Sequence, residues 1–316
     1  MKQRFPRRLA TLAVFGLLVM RGVNPVSGQT QQTIKIAVLP SDSVSLAFYA
    51  IDRGSFKRAG IDAEIVPLQS GPAIAAAVAS SAADFGAANM IALAVAHEKG
   101  LPFTAIAPAG VYTSRAVTVG LVVPKSSSVR SAKELEGRIV AVDSLKTLGT
   151  IATSAWMDRN GGDSKTLKFV EVPFGQMDAA LAAGRVDAAF LPEPALGNVL
   201  GSAGRLLAAP LDAIAPELQL GAWFTNSAYA KLHPDIIRKF LGVMVETAAW
   251  AEANKGATAA IYEKYTKIRV ADGTPRMLQS GRVEIAKIQP LIDAAAKYGV
   301  LTQSFSGADL FGPATR

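Results

Sequence analysis

The sequence predicts an α/β fold of two lobes, each a mixed sheet flanked by helices and joined to the other by a two-segment hinge. Three observations predict it. Strand and helix signals alternate along the chain, the pattern of sheets covered by helices. Two matching phrases, 77–86 and 180–189, each read as the end of an Ala-rich helix, a small-residue stop, an Asp and a short buried strand. Two strand-rich stretches, 117–123 and 220–224, read as crossings, so the first lobe is assembled from both ends of the chain. The expected boundaries are 29–118 with 222–316 for the first lobe and 119–221 for the second.

The elements follow in order. A first strand over 34–38 ends at Pro40 and the polar turn Ser41, Asp42, Ser43. Leu46, Tyr49, Ala50 and Phe56 are spaced as one apolar helix face, and Gly60 stops that helix. A strand over 63–66 leads to the turn Gln69, Ser70, Gly71, Pro72, which opens the Ala-rich helix. Proline suits that place because the first N–H groups of a helix have no intrahelical partner. The first phrase's strand delivers Asn89 into a turn, and a helix over 91–99 closes at Gly100. The second unit reads as a helix over 131–136, a strand over 138–142 and a helix over 148–160. A strand over 168–172, a helix over 176–183 and a strand over 186–191 complete it, and the last delivers Glu193 into a turn. Beyond Pro234 the chain is dominated by long Ala-rich helices, the first of them favoured by Asp235 at its positive dipole end.

The first thirty residues stand apart. Lys2, Arg4, Arg7 and Arg8 precede an apolar run over 9–20. That run is too short to span a membrane, which takes roughly 20 residues. Val26, Ser27 and Gly28 fit a cleavage site, so 1–28 reads as a secretory signal peptide. The chain has no cysteine. An exported protein must then rely on its core rather than disulfides, and it has no thiol for lipid attachment. The expected location is the periplasm, not as a lipoprotein. Five of the 33 basic residues and none of the 25 acidic ones lie before residue 29, which reduces the formal charge from +8 to +3 for the remainder. No basic cluster with interleaved aromatics is left, so nucleic acid is not an expected partner.

Residues for catalysis are scarce. The two histidines, His97 and His233, have no partner at metal-ligand spacing, and no nucleophile elbow, Walker loop or dinucleotide fingerprint occurs. The expectation is no enzyme, no metal and no cofactor. Binding candidates are better placed, because ligands of open α/β sheets sit beyond the carboxyl ends of the strands. Ser41, Ser43, Ser70, Gly71 and Asn89 fall there, as does the turn 144–150 with Ser144, Thr147 and Gly149. Helix starts offer free N–H groups to an anionic or carbonyl oxygen, although Ser and Thr also cap helices there. Glu193, between Pro192 and Pro194, reads equally as a ligand acceptor or a cap. Tyr112 and Trp223, near the crossings, either pack the hinge or stack on a planar ligand. Asn89 and Glu193 are expected to face each other across a cleft, and Asp84 and Asp187 to be structural.

Taken in order, the run 54–64, the turn Ser70-Gly71, and the runs 83–86, 133–138, 172–175 and 180–194 resemble one family. It is that of periplasmic solute-binding proteins of the nitrate/sulfonate/taurine type of ABC importers, and the resemblance extends to thiamine-pyrimidine-synthase-like domains. It implies a type II periplasmic binding protein, monomeric, that bends at its hinge and hands a small polar or anionic organic solute to a membrane permease and its ATPase. It also implies that Ser41, Ser43, Ser70, Asn89 and Thr147 are the matching contact positions. Asp143-Ser144 and Glu193 stand where sulfonate binders tend to carry Gly-Ser and Trp. The alternatives are an exported enzyme of the same fold, acting on a pyrimidine-like or organic-acid substrate, and a sensory receptor for a membrane kinase.

Overall fold

Short runs of apolar residues in this chain pair into two sheets of one plan. The computed structural model describes residues 32–312, and the expected signal peptide lies outside the described residues. The chain begins with β1 (Gln32–Val38), α1 (Leu46–Asp52), α2 (Ser55–Arg58), β2 (Ile61–Pro67), α3 (Gly71–Ala79) and β3 (Phe85–Asn89). It continues through α4 (Met90–Glu98), β4 (Phe103–Pro108), β5 (Gly110–Thr113), β6 (Val119–Pro124), α5 (Ala132–Leu135) and β7 (Ile139–Val142). Next come α6 (Leu148–Arg159), β8 (Lys168–Glu171), α7 (Phe174–Ala182), β9 (Ala188–Pro192), α8 (Ala195–Gly201) and β10 (Gly204–Ala208). The last part holds β11 (Glu217–Gln219), β12 (Gly221–Asn226), α9 (Ser227–Leu232), α10 (Pro234–Ala253), α11 (Lys255–Thr266), β13 (Leu278–Gln279) and α12 (Ile285–Lys297).

The first sheet has the order β2-β1-β3-β12-β4, and the second, read from its other edge, β8-β7-β9-β6-β10. In both, three parallel strands are followed by a fourth that runs antiparallel to them and a fifth antiparallel to the fourth. The crossing strands β12 and β6 therefore hold equivalent places. So do β3 and β9, the strands of the two matching phrases. Their aspartates do the same work in each lobe. The Asp84 N–H donates to the Lys35 carbonyl at 2.9 Å, and Asp84 Oδ2 accepts from the Lys35 N–H at 2.8 Å. Asp187 accepts from the Ile139 N–H through Oδ2 at 2.9 Å, and its own N–H donates to the Ile139 carbonyl. Each carboxylate pins the entry of a central strand to its parallel neighbour.

A third, small sheet of order β11-β5-β13 ties the connections together. β5 and β11 belong to the two segments that run between the lobes, and they pair antiparallel from Glu217↔Thr113 to Gln219↔Val111. β13 lies on the other side of β5. It was not legible in the sequence, and neither were β4, β5, β10 and β11.

One expected helix is two. Gly54 takes φ 68° between α1 and α2, a left-handed value that glycine adopts without strain and that breaks the helical run. Ser55 and Phe56 then turn back into the core, which α10 covers through Phe240. That core joins Ile34, Ile36, Phe48, Phe85, Trp223 and Met244 on one face of the first sheet. A second core runs between the lobes, from Ile74, Leu93 and Phe224 to Val142, Leu148, Ile151 and Phe190, and α12 closes it with Ile288 and Leu291.

Candidate binding cleft

Parallel strands deliver their carboxyl ends to one edge of a sheet, and here both sheets turn that edge inward. The cleft between them is lined by Leu39, Ser41 and Ser43 after β1, and by Ala88 and Asn89 at the end of β3. Asp143 after β7 and Pro192 at the end of β9 line it from the other lobe. Its volume is about 80 Å³, and an outer groove that continues from it adds about 550 Å³.

Helix starts meet the same space. Gly71, Asn89, Leu148 and Phe174 stand at the N-termini of α3, α4, α6 and α7, and all four line the cleft. Local chemistry marks three of these four starts. The Ser70 hydroxyl accepts from the Ala73 N–H at 3.4 Å, and Asn89 Oδ1 accepts from the Ala92 N–H at 2.9 Å. The Thr150 hydroxyl accepts from the Thr147 N–H at 3.1 Å. These caps satisfy first-turn donors that otherwise lack partners.

The expected contact residues divide accordingly. Ser41, Ser43, Gly71 and Asn89 line the inner cleft, with the Ser41 and Ser43 hydroxyls 3.0 Å apart. Ser144 and Thr147 line an outer apolar groove that continues from it, sharing Gly71, Ala88, Asn89 and Asp143. There the Thr147 hydroxyl donates to the Ser144 carbonyl at 2.8 Å. Ser70 serves α3 as a cap, and Gly149 serves packing. A β-carbon at Gly149 would lie 3.0 Å from both Phe190 and Val142.

Three expectations are corrected. Trp223 is fully buried against Phe240 on the far face of the first sheet, so it has no surface to offer a planar ligand. Tyr112 is equally buried and donates its hydroxyl to Asp212 at 2.7 Å. Burial and the Asp212 carboxylate raise its pKa. Both aromatics pack the connections. Glu193 does not line the cleft and does not pair with Asn89. It is 2% exposed, its Oε2 accepts from the Gly197 N–H at 2.9 Å, and the Glu193–Pro194 peptide is cis.

What Glu193 meets instead is Asp42. The Asp42 N–H donates to the Glu193 carbonyl at 3.2 Å, from one lobe to the other. The Asp42 carboxylate is held by the Arg276 guanidinium, through Nε at 2.9 Å and through Nη2, and by the Met277 N–H at 2.6 Å. Arg276 Nη2 also donates to the Tyr49 hydroxyl at 2.6 Å. Burial opposes the Arg276 charge, yet Asp42 beside it holds its pKa above the ordinary value. Burial pushes the Glu193 carboxyl up to about 7, against the Gly197 N–H bond and with the Asp42 charge adding to the rise. Tyr49 is pushed up to about 12, mainly by burial.

Sequence reasoning did not single out Arg276, because it lies in the irregular stretch between α11 and β13. The one available signal was Gly273 and Pro275 amid a helical region, a turn pointing back toward the body. Asp143 was noticed only as a departure from a family pattern. In the cleft it is the single charged lining residue among those described. Burial pushes its carboxyl up to about 6, opposed by backbone N–H bonds and helped by the Glu171 charge.

Comparison with known proteins follows this geometry. Residues 43–256 match the profile of the family described as NMT1/THI5 like. Comparison with curated proteins gives no match. Among solved structures, the alkanesulfonate-binding protein SsuA from Xanthomonas axonopodis pv. citri, bound to MOPS, is 18% identical. The likeness covers 89% of this chain and 98% of that chain at a TM-score of 0.73. The periplasmic nitrate-binding protein NrtA from Synechocystis PCC 6803 is 14% identical, covering 89% of this chain and 85% of that one at a TM-score of 0.74. The desulfurization enzyme DszB is 14% identical, covering 89% and 96% at a TM-score of 0.67. These structures share the two-lobed fold with this chain.

Proposed function

Since this chain belongs to the NMT1/THI5-like family, we propose that it is the periplasmic solute-binding component of an ABC importer. It captures a small polar or anionic organic solute between its lobes and delivers it to a membrane permease powered by an ATPase. The observation that carries this reading is the convergence of both sheets' strand ends, with four helix starts, on one enclosed cleft. A solute touching both lobes favours their closed arrangement, because only contacts that differ between two states shift their balance.

The lobes in this reading are 29–118 with 222–316 and 119–221, and they bend about the paired segments of β5 and β11. The protein acts as a monomer and returns its solute chemically unchanged. SsuA and NrtA, which carry solute-binding names, support this reading. The fold alone does not separate it from catalysis, since DszB has it too. What favours binding is the lining. Among the described residues of the inner cleft there is no histidine, lysine or arginine, only two serines, an asparagine and Asp143 among apolar walls. Native mass spectrometry of protein purified from the periplasm tests the proposal. It predicts one solute per chain, released intact on denaturation; a chemically altered product would contradict it.

A further inference from the structure

We propose that the inner cleft selects a solute with a largely apolar body that presents a hydrogen-bond-donating nitrogen to Asp143, and that it rejects oxyanions. This rests on the solute-binding reading above and narrows its ligand class.

The argument starts from the walls. Leu39, Val44, Ile74, Phe174, Phe190 and Met277 make most of the lining. Polar groups come only from Ser41, Ser43, Asn89 and Asp143. No lysine, arginine or histidine among the described residues lines the inner cleft. The nearest guanidinium, Arg276, sits in a separate recess with Tyr49, Thr258 and Gln279, its Nε and Nη2 committed to Asp42 and Tyr49. Inside the inner cleft an oxyanion would thus meet a carboxyl group and no cation, since Lys99 and Lys146 line only the outer groove.

The helix starts do not reverse this balance. One first-turn donor is already capped in α3, by Ser70, and one in α4, by Asn89. A like charge at close range in a half-buried site outweighs the partial charge of a helix end. An amine, amidine or ring N–H has the complementary polarity. It can donate to Asp143, while Ser41 and Ser43 orient a second polar group. The apolar body is then buried against both lobes, and the neighbouring groove, with its Ala75, Ala76, Ala92 and Ala96 walls, leaves room for a longer one. Burial of Asp143 also strengthens this preference, because a donor relieves the cost of a desolvated carboxylate.

Matched probes test the proposal. Thermal protection is measured with benzamidine, benzylamine and 2-aminopyridine, and with benzoate, benzenesulfonate and nitrate. The expected result is protection by at least one nitrogenous probe and by none of the anions. Asp143→Asn, with its unliganded melting temperature checked to show that it folds, is expected to weaken the protecting probe about tenfold or more by calorimetry. Protection by an anion, absence of protection by every nitrogenous probe, or unweakened binding to the variant overturns the inference. An anion that binds with one-to-one stoichiometry and leaves unaltered does so while the solute-binding reading stands.

Discussion

The backbone N–H of Asp42 donates to the carbonyl of Glu193 at 3.2 Å, joining the turn after β1 in one lobe to the turn after β9 in the other. Both turns follow parallel strands of their sheets, at the carboxyl ends that face the cleft. It also places two carboxyl groups near one guanidinium. Arg276 holds Asp42, and the Glu193 carboxyl is held by Gly197.

Stability should fall as pH rises through the neutral range, and Glu193 should account for part of the fall. Its folded pKa, about 7, lies above that of an exposed glutamate. The folded protein therefore holds this proton after the unfolded chain has lost it. The sign follows: stability is full below the unfolded pKa and declines as pH climbs to 7 and beyond. Asp143, raised to about 6, acts in the same direction. Glu193→Gln should flatten the curve and stabilise the protein by on the order of 2 kcal/mol at pH 8. Melting temperatures of both proteins from pH 5 to pH 8 check this, and parallel curves would refute it.

Removing Arg276 leaves the buried Asp42 side chain without its cationic partner. Arg276→Met should cost about 3–5 kcal/mol, the usual penalty for breaking a buried pair from one side. The double variant with Asp42→Asn should recover part of the loss, because no unpaired charge then remains. Urea unfolding of the two variants measures both steps.

The matching aspartates should prove interchangeable in effect. Asp84→Ala and Asp187→Ala each remove a charge-assisted bond to a strand N–H, at Lys35 and Ile139. Each should lower stability by about 1.5–3 kcal/mol without changing affinity for the co-purified solute. Equal unfolding shifts with unchanged calorimetric affinity are the expected pair of results.

Much of this architecture was legible in the sequence because it rests on local signals. Short apolar runs mark β1, β7 and β9, and the turns at Ser70 and Asn89 mark two helix starts, where both side chains cap. The repeated phrases gave equivalent strands. Two kinds of feature were not legible. Trp223 and Tyr112 have the size and polarity of ligand-stacking residues, and only the three-dimensional packing of β12 and β5 assigns them to the interior. Arg276 reaches Asp42 across 234 positions of sequence, a pairing no spacing rule reports. Gly110 belongs with these, since its need to be glycine arises from a distant loop.

That glycine supplies a further test. A β-carbon at Gly110 would lie 2.8 Å from the Ser43 backbone and collide with Met277, both of which wall the cleft. Gly110→Ala should therefore displace Ser43 and weaken solute binding about tenfold or more, while Gly299→Ala, at an open surface position with φ 67°, should affect stability alone. Calorimetry and thermal unfolding of the two variants separate the effects.

The central claim is that a solute held in the cleft draws the two lobes together. Because the chain has no cysteine, single Cys substitutions at the exposed Lys57 in α2 and Lys168 in β8 can carry one spin label on each lobe. The distance between those labels, measured before and after adding back the co-purified solute, tests the claim directly. A shorter and narrower distance distribution with the solute is predicted. An unchanged distribution at saturating solute would contradict it.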